Sequence, residues 1–171
     1  DGRGVNVIRK ETDLEILFDS PCVIEKLVPI QKELAVMTAR KNNGQMESFP
    51  MVEMSFHPTA NLVEYLFCPA EVNADIENQA REITEKIANA LGITGLLAVE
   101  YFLDMDGKLV VNEMAPRPHN SGHHTIEANY TSQFEQHLRI LLDLPLGSSK
   151  LIMPAVMINL LGEEGHTGTA V

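Results

Sequence analysis

The chain is expected to fold as an α+β domain, a mainly antiparallel sheet with helices packed on it. Three observations predict this. Apolar and β-branched segments crowd the first half, and helical periodicity emerges clearly only over 73–91 and 132–142. Two turn signatures, Asn43-Gly44 and Asp106-Gly107, each lie between apolar runs, and short hairpins join antiparallel neighbours. The strict alternation of strand and helix that builds a doubly wound parallel sheet is missing from the pattern.

The elements follow in order. Asp1-Gly2-Arg3-Gly4 reads as a glycine-rich loop and is expected to be the cut edge of a larger domain. Residues 12–19 are expected to form a short helix, capped by Thr12 or Asp13 and stopped before Pro21. Cys22 to Val28 reads as a short strand ended by Pro29. Gln31 to Lys41 and Gln45 to Met54 flank Asn42-Asn43-Gly44 as a hairpin, and Leu62 to Cys68 reads as another strand. From Asn73 to Leu91, apolar residues at 76, 80, 83, 87 and 91 share one helical face, with Asn73 as N-cap and Gly92 as the stop. Leu96–Leu103 and Leu109–Met114 are two more strands. Ser132 to about Leu142 is expected to be a helix with capping-box spacing from Ser132 to Glu135. Its buried face is read as Phe134, Leu138 and Leu141. Residues 151–161 read as a last strand, with Pro154 near its start.

Composition narrows the function. The formal net charge of −11, from 13 basic and 24 acidic residues, argues against a general nucleic-acid binder, which needs a basic face. No run of eighteen apolar residues exists, so no membrane-spanning helix is expected. Two cysteines, Cys22 and Cys68, cannot build a disulfide framework, and a reduced cytoplasmic setting is the expectation. Between Lys86 and Arg139 the only formal cations are Lys108 and Arg117, which draws attention to the loop holding Arg117.

Two acids stand in the apolar strands. A two-residue turn at Asp106-Gly107 would set Glu100 directly opposite Glu113. Facing carboxylates repel, and burial makes this worse, unless a cation lies between them. Hard oxygen ligands so placed suit Mg²⁺ that also holds substrate phosphates. The competing reading is a structural ion pair of Glu100 with Arg117 or Lys26. The loop that follows, Ala115 to Thr125, carries two stiffening prolines, an arginine fork, His119, His123 and His124, and Gly122 for close approach. Zinc is the rival for these histidines, but neither HExxH nor CxxC is present.

These residues carry a resemblance. Val99-Glu100-Tyr101-Phe102 and the run Val111-Asn112-Glu113-Met114-Ala115-Pro116-Arg117-Pro118-His119-Asn120-Ser121-Gly122-His123 closely resemble the ATP-grasp core of the 5-(carboxyamino)imidazole ribonucleotide synthase family. The likeness runs from Asp1-Gly2-Arg3-Gly4 to Asn159-Leu160-Leu161-Gly162. It implies an ATP-grasp fold. Residues 1–147 would be the C-terminal portion of that domain and 148–171 the start of a small C-terminal domain. The implied reaction is a ligation in purine biosynthesis. ATP and bicarbonate form carboxyphosphate, and the amine of 5-aminoimidazole ribonucleotide becomes a carbamate.

The resemblance also assigns roles. Gly2, Arg3 and Gly4 would finish the loop over the phosphates. Glu25, Lys26, Leu27 and Val28 would form the hinge that reads adenine, and Glu33 would accept from the ribose. Glu100 and Glu113, with Asn112, would hold Mg²⁺ or Mn²⁺, and Glu113 and Asn112 also belong to the nucleotide site. Asn112 would need a bulge to reach that face. Arg117 and His119 would be catalytic, while Asn120, Ser121 and His123 would line the bicarbonate and ribonucleotide site. His124 stands where the family often has an aromatic residue and Ala35 where it often has Ser. The connection over 55–62 is longer than usual, and His57 receives no role. The family's N-terminal domain, the ATP-contacting lysines and most of the C-terminal domain fall outside the match. The isolated segment is therefore expected to be inactive, and the complete enzyme a homodimer. Another ATP-grasp carboxylate–amine ligase, a non-catalytic nucleotide-binding module and a metal hydrolase are the alternatives.

Overall fold

An unbroken run, Leu-Ala-Val-Met-Thr-Ala over 34–39, forms the buried middle of strand β1, Ile30–Arg40. A strand buried on both faces reads as a continuous apolar run, and this one lies at the centre of the sheet. The computed structural model describes residues 4–56 and 63–160. Around β1 it places β2 (Met46–Ser48), β3 (Val52–Phe56), β4 (Val63–Cys68), β5 (Gly95–Asp104), β6 (Leu109–Ala115) and β7 (Ala155–Ile158). The order is β6-β5-β1-β3-β4-β7, with β2 pairing β1, and every pairing is antiparallel. The expected α+β architecture is met. Hydrogen bonds cross the division expected at 147/148, because β7 extends the sheet beside β4.

Several boundaries move. The strand expected over 22–28 joins no ladder; Val23 and Ile24 stand exposed, and pairing begins at Ile30, just past Pro29. β-Branched residues favour extension, but only a neighbouring strand makes extension a sheet. The helix expected over 12–19 is a single 3-10 segment, Glu11–Ile16, at whose start the Asp13 carboxylate accepts from the N–H groups of Arg9 and Lys10. The strand expected over 45–54 divides into β2 and β3. The break falls at Phe49-Pro50-Met51, where Pro50 has no N–H to give a ladder. The Asn43-Gly44 hairpin forms with three loop residues. Lys41 N–H donates to Gln45 O at 2.8 Å, and Gly44 takes φ +87°.

Helix α1, Ala74–Ala90, covers one face. The Asn73 side chain accepts from Ile76 N–H at 2.9 Å, and Ala80, Thr84 and Ala88 are buried against Leu34, Val36, Leu97, Val99 and Tyr101. Leu91, expected to end the buried stripe, is exposed. α2 (Thr125–Ala128) and α3 (Gln133–Leu141) lie on the other side, α3 packing against β5 and β1. Ser132 Oγ accepts from Glu135 N–H at 3.1 Å, as its spacing predicts. The buried face of α3 is not the expected one. Phe134, Leu138 and Leu141 are exposed, and Gln133, Gln136 and Ile140 are buried. The glutamines go inward because each meets two backbone groups there. Gln136 donates to Gly147 O and accepts from Gly147 N–H, both at 2.8 Å.

Candidate active site

Glu100 and Glu113 oppose one another in the β5–β6 ladder, and opposed residues of an antiparallel pair project from the same face. The pairing arises by a different route from a two-residue turn. Asp104 N–H donates to Lys108 O at 3.0 Å, so the loop holds three residues, Met105-Asp106-Gly107. The Asp104 carboxylate organises it by accepting from the N–H groups of Asp106 and Lys108 at 3.0 and 2.8 Å. Leu103 opposes Leu109 and Tyr101 opposes Val111. Carried on unchanged, this register would put Glu113 opposite Val99, on the face covered by α1. A bulge intervenes. The register shifts between Glu100 and Tyr101, Asn112 is the extra residue, and Glu113 comes to face Glu100. Asn112 lines the cleft together with Phe102 and Val110.

Glu33 joins the same face. It opposes Phe102 in the β1–β5 ladder, and Ala35 opposes Glu100. Burial pushes the Glu100 carboxyl up to about 7, helped by the charges of Glu113 and Glu33, and burial raises Glu33 as well. The alternative ion pairs are not formed among the described residues. Arg117 donates to Pro118 O at 3.1 Å, and Lys26 stands at the cleft wall. The group nearest to answering Glu100 is His119, whose Nε2 lies 3.6 Å from Glu100 Oε1. A crowd of carboxylates with which no Arg or Lys pairs among the described residues suits a divalent cation. Two acids plus substrate phosphates are the usual setting for Mg²⁺. Among the described residues no group of three or more His, Cys, Asp and Glu is arranged to ligate a metal by itself.

A cleft of about 400 Å³ opens between the segment 25–29 and the β5–β6 face, walled by Glu25, Lys26, Val28, Phe102, Val110 and Asn112. Outside the ladder, the backbone of 22–28 has N–H and C=O groups that no strand pairs among the described residues. Met105 N–H holds the segment's end by donating to Pro29 O at 3.0 Å. Leu27 is exposed and does not line the cleft. Gly4 lies exposed at the start of the described chain, while Gly2, Arg3 and His57 fall outside the described residues. A larger concavity of about 470 Å³, on the α1 side beside β2, contains none of the nominated residues.

The loop after β6 is a fixed structure. His119 is extended, and a 3-10 turn over Asn120–Gly122 follows. His119 Nδ1 lies 2.9 Å from Ser121 Oγ and accepts from Ser121 N–H at 3.3 Å. With its Nδ1 lone pair so occupied, the neutral ring carries its proton on Nε2, toward Glu100. Burial, then the Arg117 charge, lowers the His119 pKa, against the raising effect of Glu113. Asn120 is half-buried, Ser121 buried and His123 exposed, its ring stacked on Phe134 at 5.8 Å. His124 is buried, and burial pushes its pKa down to about 4. Gly122 is where a side chain cannot go. A Cβ there would lie 2.5 Å from Met37 Cε and 2.7 Å from Gln133 Oε1.

Gln133 and Thr125 were not evident from the sequence. Thr125 Oγ1 donates to Gly122 O and accepts from Gln133 N–H. The available signal was polar residues on a helix whose apolar face has nothing to cover it, but periodicity alone assigns them outward.

Comparison with known proteins gives a consistent account. A family model described as the ATP-grasp domain matches residues 1–134. The N5-carboxyaminoimidazole ribonucleotide synthase of Bacillus subtilis (strain 168) is 44% identical over 168 residues, which cover 96% of this chain and 44% of that protein. The crystal structure of N5-carboxyaminoimidazole ribonucleotide synthetase from Thermotoga maritima matches with a TM-score of 0.83 at 46% identity, over 93% of this chain and 42% of that one. An Aspergillus clavatus synthase, solved with ADP and 5-aminoimidazole ribonucleotide, matches with a TM-score of 0.80 at 35% identity, over 90% and 41%. The chain thus spans less than half the length of these relatives.

Proposed function

Because the chain belongs to the ATP-grasp family, in its N5-carboxyaminoimidazole ribonucleotide synthase branch, we propose that the protein containing it couples ATP cleavage to carboxylation of 5-aminoimidazole ribonucleotide by bicarbonate. The observation that carries this reading is the Glu100–Glu113 pair, set by a bulge on the face that also holds Glu33, the 25–29 cleft and His119. Adenine would lie against Val28 and Phe102 with its edge read by the backbone of 25–28, and Glu33 would accept from the ribose. Mg²⁺ or Mn²⁺, held by Glu100 and Glu113 with Asn112 beside them, would neutralise phosphate charge.

A bicarbonate oxygen attacks the γ-phosphorus and ADP leaves, giving carboxyphosphate. The amine nitrogen then bonds the carboxyl carbon, phosphate leaves, and the amine gives up a proton. The chain's part in this is positioning and charge. Arg117, exposed on the loop that carries His119, offers a planar fork to carboxylate and phosphate oxygens. His119, its pKa lowered by burial, presents Nε2 at the junction of the acid pair and the loop. Asn120, Ser121 and His123 complete the ribonucleotide side. A homodimer and a cytoplasmic setting belong to the same proposal. The two free cysteines support the second.

The test is ATP turnover and labelled-bicarbonate incorporation by a full-length protein carrying this segment. Turnover should require both bicarbonate and 5-aminoimidazole ribonucleotide. ATP consumption driven by a different carboxylate and amine, with neither of these needed, would overturn the reading.

A further inference from the structure

We propose that Gln133 is a positioning residue that aims His119 at the acid pair; this deepens the function proposed above and rests on it. His119 has extended backbone, φ −132° and ψ 154°, so its N–H and C=O point the same way. In a sheet, a neighbouring strand would meet both groups. Here no strand is available, and the Gln133 carboxamide takes that place. Its Nε2 donates to His119 O at 2.8 Å, and its Oε1 accepts from His119 N–H at 2.8 Å. A carboxamide offers one donor and one acceptor side by side, which is what a backbone residue offers across a ladder.

Gln133 is itself fully buried and fixed from behind. Its N–H donates to Thr125 Oγ1 at 2.9 Å, and that hydroxyl donates to Gly122 O. The bare Cα of Gly122 leaves the space that the carboxamide fills. Rotating the amide would set two donors and two acceptors against each other in a dry place, so one orientation is strongly preferred. With the His119 backbone clamped, only its two side-chain torsions are free, and Ser121 holds the ring by Nδ1. Nε2 then falls 3.6 Å from Glu100. The clamp touches neither nucleotide cleft nor acids; it reaches the site through His119 and through the turn at Gly122, and removing the His119 ring separates the two routes.

The experiment is a double-variant cycle in a full-length protein carrying this segment. Gln133→Leu and Gln133→Glu are each made alone and on a His119→Ala background, with kcat, KM for Mg·ATP and melting temperature measured. Gln133→Leu should lower kcat about tenfold, because small misplacements near the reacting groups are costly. Its KM for Mg·ATP should stay within about twofold, since the nucleotide cleft is untouched. On the His119→Ala background it should change kcat less than about twofold, because the group it aims is gone.

Gln133→Glu keeps the shape. As a carboxylate it cannot donate to His119 O, whereas as a carboxylic acid it can. Its activity relative to the parent should therefore be low near pH 8 and recover toward pH 6. This variant decides the matter if Gln133→Leu fails to fold. Equal losses with and without His119 would overturn the inference, as would a lowered melting temperature with kcat unchanged, or no recovery of Gln133→Glu at low pH. If the parent shows no bicarbonate- and ribonucleotide-dependent turnover, the proposed function fails and takes this inference with it.

Discussion

Glu100 and Tyr101 are neighbours on β5 that project from opposite faces of one sheet, and the faces are finished in opposite ways. Tyr101 points under α1, where its hydroxyl is 2.7 Å from Thr84 Oγ1 and donates to Ala80 O at 3.0 Å. That side has its polar atoms matched, and burial lifts the phenol to about 12, out of reach of ordinary pH. Glu100 points to the opposite face, where burial is partial and its neighbours are acids. From Val99 to Asp104 the strand alternates strictly, buried on the α1 side and half-buried on the other. One strand therefore supplies stability through one set of side chains and stores electrostatic tension in the other. This division is what a binding site on a stable scaffold requires.

The sharpest way to break the comparison is to alter each face and ask which property moves. Glu113→Gln should lower kcat/KM for Mg·ATP in the complete enzyme by about 10²–10³-fold, on the order of 3–4 kcal/mol. The same change should raise the melting temperature of the ligand-free protein, because it removes a charge facing Glu100. A fall in both would mean that Glu113 supports the fold. Leu97→Ala on the α1 side should do the reverse. It should cost about 3 kcal/mol in denaturant unfolding and leave turnover per folded molecule unchanged.

The next effect is a pH slope. Glu100 titrates near 7 when folded, against an ordinary 4.5, so the folded state holds a proton that the unfolded state has lost. Its contribution to stability is present below about pH 4.5 and is lost as pH rises to 7. His124 titrates near 4, against an ordinary 6.5, so the unfolded state takes the proton first and stability is lost as pH falls from 6.5. Between 4.5 and 6.5 the two oppose, each by up to about 1.4 kcal/mol per pH unit. Unfolding free energies across this window should be nearly flat in the parent, rise with pH in Glu100→Gln and fall with pH in His124→Phe. Slopes of the opposite sign would show that other groups dominate. The smallest effect is Tyr101→Phe, which should cost about 1 kcal/mol in unfolding and leave Mg·ATP use untouched. A loss of activity there would mean that the faces are coupled.

What was legible in the sequence follows the same division. The α1 side could be read because periodicity, the Asn73 cap and the strand alternation all describe burial of apolar surface, which is local and repetitive. The acid pair could be read because a hairpin forces residues into register. Its stated cause was wrong, since the Asp104 carboxylate widens the loop to three residues and the bulge restores the pairing. Segment 22–28 misled because β-branched residues say nothing about whether a partner strand exists. The face of α3 misled because Gln133 and Gln136 are buried for the sake of backbone groups fourteen and eleven residues away in the chain. No local pattern encodes such a match.

The bulge at Asn112 has a consequence for mutation by length. Losing one codon inside a strand ordinarily inverts everything beyond it, sending the core outward and surface groups inward. Asn112 is the exception in β6. Were it deleted, Val111 would still meet Tyr101, Glu113 would still meet Glu100 and Met114 would still meet Val99, because the remaining residues are already in phase with β5. The strand would become more regular, and only the amide that reaches the cleft would be lost. Asn112 is thus a residue that the fold can do without, and a one-codon deletion there separates what the site needs from what the sheet needs.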